Sequence, residues 1–200
     1  MKSSISIRLA RVSDIEALYA LYVPYVQQTA VTFELVPPTL DSFAQRVTNT
    51  LERYPYIVAE HEGEILGYAY ASAFRPRHAY LHAAETSIYI RMDYKGNGLG
   101  RRLYTALAQL LQVQNVYTME ACIAYCEQGD EFVPQASRIF HEKMGFTLVG
   151  RFNKCGRKFD RWYDMIWMEK VLVPHPENPE PYIPLPYVNQ EIVAAILAQA

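Results

Sequence analysis

Glycines occupy positions 96, 98 and 100 of the stretch YKGNGLGRRLY, and two arginines and an apolar helical pattern follow them. Glycine turns with positive φ and lets another molecule approach backbone N–H groups, at an entropic cost on folding. The first turn of a helix leaves N–H donors unpaired at the positive end of its dipole, so glycines just ahead of one suit a phosphate cradle; a plain flexible turn would use the same residues. No GK[ST] follows, which removes the lysine and hydroxyl that a nucleoside-triphosphatase needs. A Rossmann dinucleotide site also fits poorly, because Glu120 has about the spacing of the acidic ribose ligand but sits early in its strand and reads as a surface or sheet-end carboxylate. A pyrophosphate held by the backbone of residues 96–99, without a metal, is the remaining chemistry. A second constellation is AFRPRHAY, where Arg75 and Arg77 flank Pro76. In an extended segment both would point the same way and could clamp a carboxylate or phosphinate bidentately, although a solvated basic turn is the commoner fate of such a pair.

These groups need a scaffold, and composition bounds it. The 200 residues, half apolar and a fifth charged, suffice for one domain with a sizeable core and a tail. A formal net charge of −2 gives no general basic field, so no nucleic-acid partner is expected. Three cysteines, with Cys122 and Cys126 four apart and no second ligand cluster, argue against a disulfide framework or a metal site and for free thiols. None stands where a nucleophile would be needed. MKSSISIRLA lacks a signal-peptide core and no stretch approaches a membrane span, so no membrane partner and a cytoplasmic protein are expected.

ISIRLA alternates as a first strand, and VSDIEALYALYVPYVQQT then takes helical spacing, with Ser13 and Glu16 spaced as a capping box and Pro24 expected to end or kink the helix. A second helix is expected from about Leu40 to Arg53, with Leu40, Phe43, Val47 and Leu51 on one face. YIVAEHEGEILGYAYASAF reads as a hairpin turning at Glu62-Gly63-Glu64, and AETSIYI as a strand leading into the glycines and a helix over 98–113. There follow a strand YTMEACIAY, a short helix PQASRIFHEKM stopped by Gly145, and a closing pair, FTLVGRFNKCG and RKFDRWYDMIWMEKVL. The order β-αα-βββ-α-β-α-ββ is that of an α/β fold, a mixed sheet with helices on both faces.

YKGNGLGRRLY resembles the acetyl-CoA signature Q/R-x-x-G-x-G/A of the GCN5-related N-acetyltransferases (GNAT), with Lys95 at the Q/R position, Gly98 at the first glycine and Gly100 at the last. Lys95 departs from the usual Gln or Arg but keeps the charge. RYPYIVAE, GYAYASAFRPRHAY, ETSIYI, FHEKMGF, VGRF and KFDRWYDMIWME occur in the order of the phosphinothricin and methionine sulfoximine acetyltransferase branch, over roughly Ile5 to Lys170. The resemblance implies a mostly antiparallel twisted sheet with splayed central strands, acetyl-CoA as co-substrate, and acetyl transfer by direct attack to the amine of a small amino-acid-like acid. It implies that Ile88, Tyr89 and Ile90 give backbone contacts to the acetyl and pantetheine arms, and that Lys95, Gly96, Asn97, Gly98, Leu99, Gly100 and Arg101 form the phosphate loop. Glu85 and His141 match the branch's carboxylate and histidine, expected to converge at the splayed centre; either could be the base, while His141 could equally cap its helix. Arg75 and Arg77 match its basic acceptor residues, and Phe33 and Glu34 its aromatic wall and acid, for which a core Phe beside a surface Glu is an equal account.

The branch pattern NxxSxxLH becomes PQASRIFH, so Ser137 still fits as a pantetheine contact, while Pro134 replaces the asparagine and has no donor to offer. The domain is expected over 1–172 and a proline-rich tail ending in a short amphipathic helix over 173–200. The tail's stripe of Ile192, Val193, Ile196 and Leu197 must be covered by this molecule or a second copy, and a homodimer is the expected assembly. Two other readings share the loop: a catalytically silent acyl-CoA sensor, and an acetyltransferase of proteins, against which the two arginines argue.

Overall fold

A computed structural model describes residues 5–200. In chain order the elements are β1 (Ser6–Leu9), α1 (Ile15–Gln28), α2 (Leu40–Leu51), β2 (Tyr56–His61), β3 (Glu64–Ala73), β4 (Ala83–Ile90), α3 (Leu99–Val113), β5 (Thr118–Tyr125), α4 (Ala136–Lys143), β6 (Thr147–Lys158), β7 (Arg161–Val171) and α5 (Gln190–Ala198). Their order matches the sequence expectation. The seven strands form one sheet in the order β1-β2-β3-β4-β5-β7-β6, antiparallel throughout except for β4 and β5. That parallel pair joins only Ala83–Glu85 to Thr118–Glu120, although β4 continues to Ile90 and β5 to Tyr125. The sheet is therefore splayed at its centre, and the β5-side edge of β4 beyond Glu85 is left without a strand partner.

Alternation along the strands assigns the two faces. Ala69, Ala71, Ala84, Met119, Ala121 and Met168 pack against Leu103, Leu107, Leu110 and Leu111 of α3 in the main core. Tyr56, Val58 and Tyr68 point the other way, toward Leu18, Tyr22 and Val26 of α1 and Phe43 and Val47 of α2. Glu62 and Gly63 turn the β2–β3 hairpin with φ of 51° and 84°, as a two-residue hairpin turn requires. Among the described residues no helix is long and apolar enough to cross a membrane.

Three local expectations are corrected. The Ser13–Glu16 capping box does not form: Ser13 lies inside a 3-10 turn, Val12–Asp14, and α1 begins after it. Asp14 closes that 3-10 turn instead, accepting the Arg11 N–H at 2.7 Å while Arg8 holds both its oxygens at 2.7 and 3.0 Å. Pro24 does not end α1, which runs to Gln28. An interior proline costs about 3 kcal/mol, but the turn it sits in buries Tyr25 and Val26, which are 7% and 1% exposed. Full burial of such side chains contributes about 1.5–3 kcal/mol each, so packing offsets the lost hydrogen bond. The last hairpin turns at Phe159 and Asp160, φ 49° and 58°, later than the sequence break suggested.

Candidate active site

The glycine loop ends a 3-10 turn, Met92–Tyr94, and opens α3. Gly96 and Gly98 have φ of 87° and 76°, and a Cβ on either would meet no atom within 4 Å. They are glycines for their backbone conformation, and the space outside them is open for a ligand. Gly98 caps α3, whose N–H donors start at Leu99, Gly100 and Arg101, the first amide bonded back into the helix being that of Arg102 to Gly98 O at 3.3 Å. Leu99 is buried as an anchor, while Lys95, Asn97 and Arg101 are exposed, with Lys95 over the Tyr25 ring and Asn97 turned back to Tyr94 O. A pyrophosphate fits this donor set, which is backbone amide with basic side chains at its edge.

Behind the loop runs the unpaired edge of β4. Ile88 and Ile90 pack on the α3 side, Tyr89 points to α1, and the Tyr25 hydroxyl donates to Ile90 O. Where β4 and β5 part, the Thr86 hydroxyl donates to Glu120 O at 3.1 Å. A pantetheine arm fits an edge of this kind, where extended backbone still has polar groups to offer. Ser137, on the first turn of α4, is half-buried.

Glu85 is half-buried on the opposite face from α3, beside Ser72 of β3 and Glu120 of β5. Desolvation raises its pKa and the Arg75 charge lowers it, the first effect being the larger. Arg75 comes from the β3–β4 connection, donates to Phe74 O at 2.7 Å and lies over the Phe74 and Trp167 rings at 4.3 and 5.2 Å. Arg77 is not drawn in with it: β3 ends at Ala73, the alternation lapses, and Arg77 leads into a 3-10 turn at His78–Tyr80.

The structure does not bring His141 to Glu85. His141 is 3% exposed on α4, which packs on the α3 side of the sheet. Its Nδ1 donates to Ser137 O at 2.8 Å, which leaves Nε2 to accept from the Tyr104 hydroxyl at 3.1 Å. Burial lowers its pKa. Phe33 packs against Gly156 of β6, where a Cβ would overlap its ring. Glu34 is held by Arg46 at 2.7 Å and by the Tyr22 hydroxyl at 2.9 Å, two residues that line a cavity of about 50 Å³ with Tyr56, Tyr68, Tyr70 and Tyr89.

Sequence reasoning missed the groups that share a face with Glu85. Glu120, set aside as a sheet-end carboxylate, is 8% exposed and adjoins Glu85 in register; Glu169 and Trp167 follow on β7, and Cys122 one same-face step along β5. Desolvation and then Glu85 push the Cys122 thiol up to about 12, so a cysteine does stand near the site but as a thiol. Only cross-strand register assembles this row, and no local motif carries it. Among the described residues no group of His, Cys, Asp or Glu is arranged to hold a metal ion.

The fold and site define a class, an acyltransferase built on a splayed α/β sheet. The chain belongs to the GNAT acetyltransferases: the family model described as "Acetyltransferase (GNAT) domain" matches residues 7–167. The chain is accordingly an acetyl-CoA-dependent N-acetyltransferase. It is 34% identical over 177 residues to a phosphinothricin N-acetyltransferase of Alcaligenes faecalis, covering 84% of this chain and 82% of that one. With an L-methionine sulfoximine/L-methionine sulfone acetyltransferase of Pseudomonas aeruginosa it shares 35% identity over 173 residues, 86% of this chain and 96% of that one. A solved phosphinothricin acetyltransferase of Sinorhizobium meliloti in complex with acetyl-CoA superposes with a TM-score of 0.78 at 30% identity, covering 92% and 99% of the two chains.

Proposed function

We propose that the enzyme acetylates the amine of a small amino-acid-like acid of the phosphinothricin or methionine sulfoximine/sulfone type, with Glu85 as the base. The observation that carries this reading is the half-buried Glu85 carboxylate at the point where β4 and β5 part, under the Arg75 guanidinium. Acetyl-CoA would supply an activated acetyl group; residues 96–101 would bind its pyrophosphate and the β4 edge at 88–90 would orient its arm, with Ser137 beside it. Glu85 removes a proton from the acceptor ammonium, and a raised pKa suits a carboxylate to that task. We read the attack as direct, in keeping with a Cys122 thiol whose pKa is raised. Arg75 binds the acceptor's acid group, with Arg77 at the rim, Phe33 as an aromatic wall, and Glu34 fixed through Arg46 behind it. His141 acts from the far face of the sheet by holding Tyr104 and α4.

The relatives named for phosphinothricin and methionine sulfoximine support the acceptor class. We take residues 1–172 as the acetyltransferase unit and 173–200 as its packed tail. A homodimer is supported by Leu148, Val149 and Phe152 on edge strand β6 and Trp162 on β7, all exposed. The three cysteines are unbridged, in keeping with a reducing compartment such as the cytoplasm.

The test is thiol release from acetyl-CoA with amino acids and their sulfone, sulfoximine and phosphinate analogues. Glu85→Gln is expected to lower turnover by about 10²–10⁴-fold, as loss of a general base does, with acetyl-CoA affinity kept. Turnover within a few-fold of the parent across pH would remove Glu85 from the role.

A further inference from the structure

Glu85 does not stand alone. Glu120 of β5 is its cross-strand partner, and Glu169 of β7 is the partner of Glu120 on the other side. Three carboxylates thus line one face on neighbouring strands, at a strand spacing of about 4.8 Å. Around Glu120 stand Glu85 from β4, Glu169 from β7, Thr118 one same-face step back on its own strand, and Arg75 from the β3–β4 connection. Cys122 follows along β5, and Ser72 of β3 lies beyond Glu85. Only Arg75 in this set is positive. Like charges opposite one another on adjacent strands repel, and one guanidinium stacked on Trp167 leaves the row with surplus negative charge.

A row of this kind relieves itself by keeping a proton. Desolvation, then Glu169, push Glu120 up to about 7, with Glu85 adding to the effect. The middle carboxyl, 8% exposed, is thus the one where a proton rests.

We propose that Glu85 and Glu120 work as a carboxylate pair, in which Glu85 takes the proton of the acceptor amine and Glu120, a positioning residue acting through Glu85, holds it until the leaving sulfur needs it. The inference rests on the reading of Glu85 as base. Its balance is simple: an N–H bond of the ammonium breaks and its proton passes to Glu85 and on to Glu120. The nitrogen lone pair then forms the bond to the acetyl carbon. The nitrogen, cationic after attack, loses its second N–H proton to solvent, the C–S bond breaks with its electrons on sulfur, and the stored proton returns through Glu85 to the thiolate. The pair gives a base poised near neutral pH, where a lone half-buried glutamate would be weaker.

The experiment is the pH dependence of kcat/KM in the parent enzyme, Glu120→Gln, Glu120→Asp and Glu85→Gln. The parent should show an acid limb near pH 7, reporting the first proton on the pair. Glu120→Gln should move that limb down by about one pH unit or more, because the site on which the row holds its first proton is gone and Glu85 titrates alone, and lower the plateau by about ten-fold. Glu120→Asp should keep the limb near the parent's. Coincident limbs in parent and Glu120→Gln would overturn the pair while Glu85→Gln, if inactive, still upheld the base. An active Glu85→Gln would overturn both. An infrared titration of the substrate-free parent, which does not depend on any variant folding, should show a buried carboxylic acid band titrating between about pH 6 and 8. Absence of that band would also overturn the proposal.

Discussion

Gly98 and Gly100 are two residues apart and are glycines for unrelated reasons. Gly98 sits at φ 76°, where a side chain would have room but the backbone would resist it. Gly100 has ordinary helical backbone, and its added Cβ would come within 3.1 Å of the Phe140 ring, because α3 and α4 meet there. A left-handed conformation costs an ordinary residue about 1–2 kcal/mol, and asparagine tolerates it best. Gly98→Val is therefore expected to weaken acetyl-CoA binding by about ten-fold or more, while Gly98→Asn stays close to the parent, as read by titration calorimetry. Equal losses in both variants would mean that the open space beside residue 98, and not its φ, matters to the ligand. The glycines could be found in the sequence, but the division of labour between them could not, since it depends on where Phe140 arrives from forty residues away.

The same limit governs the elements. Strand and helix order was legible because each element carries its own period and punctuation, such as Glu62-Gly63 between β2 and β3 or Gly145, φ 86°, after α4. What one element does to another was not. Pro24 looked like a stop or a kink, and that the helix runs on past it rests on the burial of Tyr25 and Val26, a tertiary gain; Glu120 looked peripheral because its neighbours on β4 and β7 are 35 and 49 residues away. His141 shows the opposite error: proximity to Glu85 was expected, and the thickness of the sheet separates them. Its place between Ser137 and Tyr104 has a thermodynamic consequence. Burial lowers its pKa below the 6.5 of a free histidine. Above that value the ring is neutral in both the folded and the unfolded chain, and its packing contributes in full. As pH falls through 6.5 the unfolded chain takes up a proton that the folded one refuses, so stability is lost. The melting temperature of the parent should drop more between pH 8 and pH 5 than that of His141→Gln, in which this proton uptake is absent. Parallel pH dependences in thermal melts would show that His141 is charged in the folded protein.

At the scale of the whole molecule the question is whether residues 173–200 belong to the cooperative structure. Three residues of the apolar stripe of α5 are covered by this molecule, with Val193 at 2% exposure and Ile196 and Leu197 partly buried against the main core that α3 and β1 share, while Ile192 stays exposed. The proline stretch is tied in as well. Gln114, fully buried at the end of α3, donates to Arg53 O at 2.7 Å and Ile183 O at 2.9 Å, Asn115 donates to Pro181 O at 2.7 Å, and the Leu185 N–H reaches Arg53 O. Arg102, in the first turn of α3 just behind the glycine loop, donates to Ile5 O at 2.9 Å and Ala200 O at 2.7 Å. The tail thus braces both ends of the helix that the glycine loop opens. Leu185, 4% exposed in the main core, is a clean probe, because truncating a buried leucine to alanine costs about 2–5 kcal/mol. The only two tryptophans, Trp162 and Trp167, stand on β7, whereas α5 packs on α3 and β1. If the tail and the sheet unfold as one unit, Leu185→Ala should lower the urea midpoint read by tryptophan fluorescence by the full amount, in a single transition with the parent's slope. A fluorescence transition that stays where it was, with a separate early change in circular dichroism, would make the tail an appendage that docks without supporting the sheet.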